Sequence, residues 1–185
     1  IYEAVALGRP LIQRVVTVTG DGVQKPANVI TRLGDSFARL IEQAGGYTDK
    51  AAKLIMGGPM MGISQFTDEV PVVKGTSCLL ALEENQIDMG SSLTCISCGR
   101  CVDVCPMNLM ATRIARSIEY ERWDDAKEYG SLDCMECGSC SYICPAKCKL
   151  VENIKFGKAK LAQLRAEEQA RQKAAEENSK TANPA

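Results

Sequence analysis

The sequence predicts an α+β protein, with a small strand-rich module followed by a cysteine-rich helical domain and a C-terminal helix. Three observations predict this order. Short β-branched and apolar runs, separated by Gly-rich turns, fill residues 11–82. Eight of the ten Cys lie between residues 95 and 144. Apolar residues then recur at helical spacing up to residue 164. We therefore divide the chain into residues 1–85, 86–150 and 151–185.

The first module opens with a predicted hairpin. Residues 11–19 are β-branched and end at a Gly-Asp-Gly turn, and residues 28–33 provide the second strand. Asp35 and Ser36 can cap a helix that a Gly-Gly pair ends. The apolar face of that helix is formed by Phe37, Leu40 and Ile41. Two strands followed by a helix are typical of the start of a small β-grasp-like module.

Further short strands are expected between turn signals, at residues 54–56, 71–74 and 78–82. Residues 57–62 are rich in Gly and invite comparison with a phosphate-binding loop. They lack the G-x-G-x-x-G order and a following Lys-Ser or Lys-Thr pair, so a turn is the better interpretation. We assign Met60 and Met61, within this turn, to the core.

Two copies of the pattern C-x2-C-x2-C-x3-C-P dominate the second half. The first copy consists of Cys95, Cys98, Cys101 and Cys105, and the second of Cys134, Cys137, Cys140 and Cys144. Three closely spaced thiolates on one loop suit three corners of a cubane of iron and sulfide. A zinc site would need two C-x2-C pairs around one ion, often with His, and the sequence has no His. We therefore predict two [4Fe–4S] clusters, and neither zinc nor disulfides.

The spacing also predicts which thiolates share a cluster. The three-residue gap and the following Pro direct the fourth Cys of each motif away from its own loop, toward the other motif. Cluster 1 is then bound by Cys95, Cys98, Cys101 and Cys144, and cluster 2 by Cys134, Cys137, Cys140 and Cys105. Each cluster joins both halves of the domain. Metal binding and folding should therefore be one event, with an apo form that is largely unfolded.

The segment between the motifs predicts two helices, which indicates an α-helical ferredoxin arrangement. Met110, Ile114 and Ile118 form one apolar stripe, and residues 123–129 form a second short helix. After the second motif, a further stripe can dock on this domain and is formed by Leu150, Ile154, Leu161 and Leu164. Large apolar residues then cease, so we expect an exposed helix that becomes disordered near its end.

Two Cys and a group of Lys lie outside the motif ligands. We interpret Cys78 as a buried structural thiol. Cys148 lies four residues after Cys144 and could compete as a ligand, although eight motif Cys already satisfy two cubanes. A lysine cluster follows the second motif and consists of Lys147, Lys149, Lys155, Lys158 and Lys160. It is either a solvated helix face or a docking site for an acidic redox partner.

Composition excludes several classes of function. Without His there is no Ser-His-Asp set, and no carboxylate pair is separated from the general scatter of acids. The net charge of −1 gives no basic footprint for nucleic acid. No apolar run reaches the roughly 20 residues that span a bilayer. Cys used as metal ligands indicates a reducing compartment. The sequence thus predicts electron transfer without a catalytic site of its own.

Over roughly residues 1–165 the chain resembles the C subunit of the Rnf electron transport complex, the ion-translocating ferredoxin:NAD⁺ oxidoreductase. The resemblance rests on residues 8–20, on the Met-Gly-Gly-Pro-Met-Met-Gly segment 56–62, and on both Cys motifs with residues 132–138. In that family a flavin- and NADH-binding domain precedes a β-grasp module of the soluble-ligand-binding (SLBB) type and the two-cluster domain. Because the chain starts at Ile1 without Met, we expect it to be a C-terminal piece of a longer polypeptide.

The resemblance implies a place in a membrane-bound translocase. Electrons derived from ferredoxin would arrive through a partner subunit, and other Rnf subunits, some membrane-embedded, would be partners. FMN and NAD(H) are expected only on the missing N-terminal domain. The location would be the cytoplasmic side of the bacterial inner membrane, peripheral and without a span of its own. Two alternatives stay open: the iron–sulfur part of a flavin-dependent corrinoid reductase, and a ligand-binding or assembly scaffold built on the β-grasp module.

Overall fold

The computed structural model describes residues 2–87, 90 and 92–182. The chain divides into two compact units, residues 1–89 and residues 90–185. The first unit is a mixed sheet with a packed helix, and the second unit is helical. This combination confirms the predicted α+β class.

The described part of the first unit contains two α-helices and five strands. In chain order they are α1 (Tyr2–Ala6), β1 (Gln13–Thr19), β2 (Ala27–Arg32), α2 (Phe37–Gln43), β3 (Ala51–Met56), β4 (Ile63–Gln65) and β5 (Cys78–Glu83). The strand order in the sheet is β2-β1-β5-β3-β4. β1 pairs antiparallel with β2 and parallel with β5, and β3 pairs antiparallel with β5 and β4. The predicted hairpin and the helix after it are confirmed.

Helix α2 buries its apolar face in the core of this unit. Phe37, Leu40 and Ile41 are at most 1% exposed and belong to one cluster with the inward-facing Val16 and Val18 of β1. The alternation along β1 puts both Val on the same face of the sheet. Burial of such side chains contributes about 1.5–3 kcal/mol each. The core of the first unit therefore lies between α2 and the central strands.

The two residues predicted to cap α2 have different roles. Ser36 is the N-cap, because its hydroxyl accepts a hydrogen bond from the Arg39 amide at 3.4 Å. The Asp35 carboxylate instead accepts the Thr31 hydroxyl at 2.8 Å and pairs with Arg39 at 3.0 Å. The hydrogen bond from Thr31 is the main cause that lowers the pKa of Asp35. Asp35 thus joins the end of β2 to the start of α2.

Three expectations for this unit were wrong. Residues 71–74 do not form a strand: Pro71 makes an isolated bridge to Ser36, and the Val72 amide donates to the Asp35 carbonyl at 2.7 Å. The strand β4 was missed because it has only three residues. Met60 and Met61 are 43% and 53% exposed, because the Gly-rich turn joins β3 to β4 at the outer edge of the sheet.

Replacing Gly20 with Ala should destabilise the first unit strongly. Gly20 has φ +106°, and an added Cβ would overlap the backbone carbonyl of Ala81 in β5. Backbone strain and this overlap together should lower the free energy of unfolding by about 3 kcal/mol or more. Hydrogen exchange of β1 and β5 peptides measures the loss. The matched control is Gly34→Ala, where φ is +97° but nothing lies within 4 Å. Equal losses in the two variants would refute the steric argument.

The second unit contains five α-helices within its described residues. They are α3 (Arg100–Asp103), α4 (Ala111–Glu119), α5 (Trp123–Glu128), α6 (Ser139–Ile143) and α7 (Leu150–Ala182). Helices α4 and α5 confirm the predicted two-helix connection between the motifs. Gly130, with φ 79°, follows α5. The single-turn helices α3 and α6 were not predicted, because each lies inside a Cys motif.

The packing of α4 on α7 forms the core of this unit. Ile114, Ile118 and Ile154 are at most 3% exposed, and Leu161 is fully buried. Gly157 allows α7 to approach Ile118 closely, since a Cβ at this position would collide with the Ile118 side chain. Met110 precedes α4 and is 42% exposed, so it is not part of the predicted stripe. This core holds the two segments that follow the Cys motifs.

Helix α7 continues to Ala182. The disorder expected at the end of the chain falls on residues 183–185, which lie outside the described residues. Across the described part of the chain, none of the helices combines the length and the apolar character needed to span a bilayer.

Candidate metal centres

The two Cys motifs have the same backbone geometry. Ser97 and Glu136 occupy equivalent positions with φ 56° and 59°, and Gly99 and Gly138 follow with φ 79° and 81°. Left-handed residues alternating with right-handed ones turn successive N–H groups toward one concavity, which favours anions. The Gly then starts α3 or α6, which buries the third Cys of its motif, with Cys101 at 7% and Cys140 at 8% exposure.

Each motif faces a cavity that also receives the last Cys of the other motif. The first cavity has a volume of about 470 Å³, and its thiols are Cys95, Cys98, Cys101 and Cys144. The second cavity is narrower, and its thiols are Cys105, Cys134, Cys137 and Cys140. Pro106 and Pro145 line the cavities of their preceding Cys. The structure thus brings together the two sets named from the spacing, while cluster ligation itself stays a prediction.

The donor sets fit a cubane. Four thiol groups surround each cavity, and both motifs contribute to each set. Within residues 2–87, 90 and 92–182, no three Cys, Asp or Glu side chains converge closely enough to hold one metal ion. The thiolates of a cubane bind four separate iron atoms, so they stand further apart than the ligands of a single ion.

Hydrogen bonds to sulfur occur around the second cavity. The Leu109 amide donates to Cys105 Sγ at 3.3 Å, and the Glu136 amide donates to Cys134 Sγ at 3.4 Å. Such bonds stabilise thiolate charge and tune iron–sulfur potentials. The Ser139 hydroxyl, 3.4 Å from Cys137 Sγ, is the main cause that lowers the pKa of Cys137. Backbone amides and a hydroxyl group thus lie within hydrogen-bond distance of three sulfur atoms around the second cavity.

Burial acts in the opposite direction on two thiols of the second cavity. It raises the pKa of Cys140 to about 11 and is also the main cause that raises the pKa of Cys134. A thiol must lose its proton to bind iron, so iron binding by these two thiols would release protons. The apolar wall of this cavity includes Val151 and Ile154 of α7. Helix α7 therefore covers one side of the second site with buried apolar side chains.

Lys158 of α7 holds the second motif, a role that the sequence did not reveal. Its ammonium group pairs with Glu136 at 2.6 Å and donates to the Cys134 carbonyl at 2.8 Å. The lysine cluster was interpreted as a solvated helix face or as a docking site for an acidic redox partner. Neither interpretation describes Lys158, because its side chain is only 25% exposed and binds within the domain. No local pattern could have revealed the contact, because the partners lie more than 20 residues apart in the chain.

The apolar residues beside the Cys are less buried than a shielding role requires. Ile96 is 67% exposed, Val104 is 39% exposed and Ile143 is 36% exposed. Ile96 lines the first cavity even though most of its side chain is exposed. The buried Ala146 also lines the first cavity.

The two remaining Cys have different surroundings. Cys78 is half-buried on β5, and burial raises its pKa. Cys148 lies beside Cys144 and Cys95, and its Sγ is 3.6 Å from the Leu93 carbonyl. Burial, followed by the hydrogen bond and the charge of Cys144, raises the pKa of Cys148. Cys148 is thus adjacent to the first set of thiols without being part of the first cavity's lining.

Replacing either Cys148 or Cys78 with Ser should leave the iron content unchanged. The reason is that each cavity already has four thiols and neither cavity is lined by these two residues. Iron and acid-labile sulfide analysis after anaerobic reconstitution measures the outcome. Cys101→Ser is the positive control, because it removes a thiol from the first cavity. A halved iron content in either test variant would make that thiol a ligand and release one motif Cys.

Comparison with known proteins places both units in families. The SLBB domain model matches residues 15–64, and the model of the 4Fe-4S dicluster domain matches residues 89–145. The first match covers the sheet from β1 to β4, and the second covers both Cys motifs. The second unit is therefore an iron–sulfur domain.

Curated relatives match across both units. The C subunit of the Na⁺-translocating ferredoxin:NAD⁺ oxidoreductase complex of Acetobacterium woodii is 42% identical over 161 residues, 87% of this chain and 36% of the relative. Its proton-translocating counterpart from Clostridium ljungdahlii is 43% identical over 160 residues, 86% of this chain and 35% of the relative. The C subunit of the ion-translocating oxidoreductase complex of Methanosarcina acetivorans is 43% identical over 161 residues, which is 87% of this chain and 36% of the relative.

This chain spans about a third of the length of these curated relatives. The match covers 87% of this chain and therefore includes residues of both units. The domain order and both Cys motifs agree with the resemblance seen in the sequence. The chain belongs to the C-subunit family of the ion-translocating ferredoxin:NAD⁺ oxidoreductase (Rnf) complexes.

Proposed function

We propose that this chain carries electrons through two [4Fe–4S] clusters as part of a membrane-bound, ion-translocating ferredoxin:NAD⁺ oxidoreductase complex. The observation that carries the proposal is the pair of cavities, each with four thiols drawn from both motifs. The relatives' names support this function over a corrinoid reductase. No general acid or base is needed, because the transfer of an electron breaks no bond.

The chain's own residues would bind the clusters, insulate them from water and tune their reduction potentials. Cys95, Cys98, Cys101 and Cys144 would hold the first cluster, and Cys105, Cys134, Cys137 and Cys140 the second. A bound cubane supplies one-electron redox chemistry at each site. Val151 and Ile154 cover one side of the second site, and the Leu109 and Glu136 amides stabilise negative charge on its sulfur atoms. Lys158 keeps the second motif on α7.

The wider setting of the complex is part of the same proposal. FMN and NAD(H) would bind on a domain outside this chain, and electrons derived from ferredoxin would arrive through another subunit. The partners include membrane-embedded subunits of the Rnf complex, and the chain lies peripherally on the cytoplasmic side of the bacterial cell membrane. The names of the relatives, which include both a Na⁺- and a proton-translocating complex, support this setting.

Iron analysis tests the number of clusters. After anaerobic reconstitution we expect about eight iron and about eight sulfide per chain, since each set of four thiolates binds one cubane. The reduced protein should show EPR signals of two clusters. A stoichiometry near four iron, or zinc bound in place of iron, would overturn the proposal.

A further inference from the structure

The two cavities differ in the charge around them. Four Arg side chains, all exposed, line the first cavity and are called the arginine rim here: Arg100, Arg113, Arg116 and Arg122. Among the described residues, no Asp or Glu shares that lining. The described lining of the second cavity contains no Arg, Lys, Asp or Glu. The first cavity is therefore set in a positively charged surface, and the second is not.

Half of the arginine rim is available to an external anion. Arg122 pairs with Asp125, and Arg113 lies over the ring of Tyr129 at 5.9 Å. The side chains of Arg100 and Arg116 form no hydrogen bond or ion pair with the described part of the chain. Two exposed guanidinium groups thus lack an internal carboxylate, and guanidinium binds carboxylates with two parallel hydrogen bonds.

The duplicated motif provides an internal comparison for this charge. Arg100 follows Gly99 in the first motif, and the equivalent residue after Gly138 in the second motif is Ser139. The two loops share the same backbone geometry. Since the second loop encloses its cavity without an Arg at this position, holding the cofactor does not require Arg100. The Arg residues need another explanation.

The first cavity is also the one that an outside molecule can approach. Cys98 of the first cavity is exposed, whereas each of the four thiols of the second cavity is buried or half-buried, and Val151 and Ile154 of α7 cover one side of that cavity. The lysine cluster is less available than the arginine rim. Lys158 is bound to Glu136, Lys160 donates to Gln163 at 3.3 Å, and Lys147 and Lys155 also have partners. Charge and access coincide at the arginine rim.

We propose that the arginine rim is the docking surface for an acidic electron-transfer protein, whose carboxylates surround its own redox group. This docking proposal rests on the proposed function, and it assigns electron exchange with the partner to the cluster of the first cavity. One electron leaves the reduced group of one protein and enters the oxidised group of the other, with no bond made or broken. Arg100 and Arg116 bind partner carboxylates, and the whole rim steers the encounter.

An oxidised, acidic two-cluster ferredoxin serves as a soluble probe in place of the partner subunit that would deliver the electrons. Its binding to the reconstituted full chain tests the proposal without relying on activity. The test variant is Arg100→Ser/Arg116→Gln. Ser is chosen at position 100 because the equivalent residue of the second motif is Ser139. Biolayer interferometry at low ionic strength should show an association rate about tenfold lower than that of the unchanged chain. The dissociation rate should change less, and the difference should shrink as salt is added.

The matched control is Lys149→Gln/Lys160→Gln, which removes the same charge from the lysine cluster. We expect less than a twofold change in the association rate. An unaffected arginine variant, or an equal or larger loss in the lysine variant, would overturn the proposal. Iron content is measured for every protein to show that the clusters are still bound. If the arginine double variant loses iron, the single variant Arg116→Gln is used in its place. A chain that takes up no iron would refute the proposed function instead, so the two failures are distinguishable.

Discussion

Replacing Cys144 with Ser will perturb the same cluster as replacing Cys98 with Ser, although the two residues belong to different motifs. Both thiols line the first cavity, and Cys144 is the Cys that its own Pro directs away from the second motif loop. Loss of one thiolate should displace or distort that cluster. Up to about four of the roughly eight iron per chain would then be lost, or one EPR signal would change.

The measurement is EPR of the reduced variants with iron analysis, in two matched pairs. Cys98→Ser and Cys144→Ser should alter one signal, and Cys137→Ser and Cys105→Ser should alter the other. Within each pair, one variant changes a Cys of the motif that provides three thiols to the cavity. The other variant changes the fourth Cys, which comes from the other motif. If Cys144→Ser instead resembles Cys137→Ser, each motif binds its own cluster and the crossed arrangement is wrong.

The sequence predicted the parts of the fold that local pattern determines. The β-branched run in β1, the stripe of Ile114 and Ile118, and the capping Ser36 each have a signal within a few residues of chain. The Cys spacing likewise named the thiols that line each cavity. The predictions of β1, of the α4 stripe and of the cap succeed because the period of a helix or strand and the reach of a capping side chain are short-range properties, whereas cluster ligation stays a prediction.

The failures come from contacts between distant parts of the chain. Met60 and Met61 look like core residues, but the position of β4 at the edge of the sheet leaves them exposed. The bonds from Lys158 to Glu136 and to the Cys134 carbonyl join α7 to the second motif. The arginine rim combines residues of α3, α4 and the segment before α5. A single sequence contains no local signal for such groupings.

Removing the iron will unfold the two motif segments while the first unit stays folded. Cys105 and Cys144 are contributed across motifs, and Cys101 and Cys140 lie on single-turn helices. Apart from the contacts of Lys158 with the second motif, little besides the cofactor therefore fixes residues 92–108 and 131–148. Metal binding to such segments supplies their folding free energy. The sheet of residues 13–83 has its own core of Phe37, Leu40 and Leu79 and contains none of the motif Cys.

Limited trypsin digestion of the chelator-treated chain measures this difference. Cleavage at Arg100 and Lys147 should become roughly 100-fold faster, because a folded segment that is protected by a few kcal/mol opens freely once that free energy is lost. Cleavage at Arg113 and Arg116 should accelerate less, since α4 keeps its packing against Ile154 and Leu161 of α7. The sheet should survive in a resistant fragment that ends at Arg100, the first Lys or Arg after Lys74. Reconstitution with iron and sulfide is the control and should restore resistance. Equal cleavage rates at Arg100 with and without iron would show that the motif loops fold without the clusters, and would separate metal binding from folding in this domain.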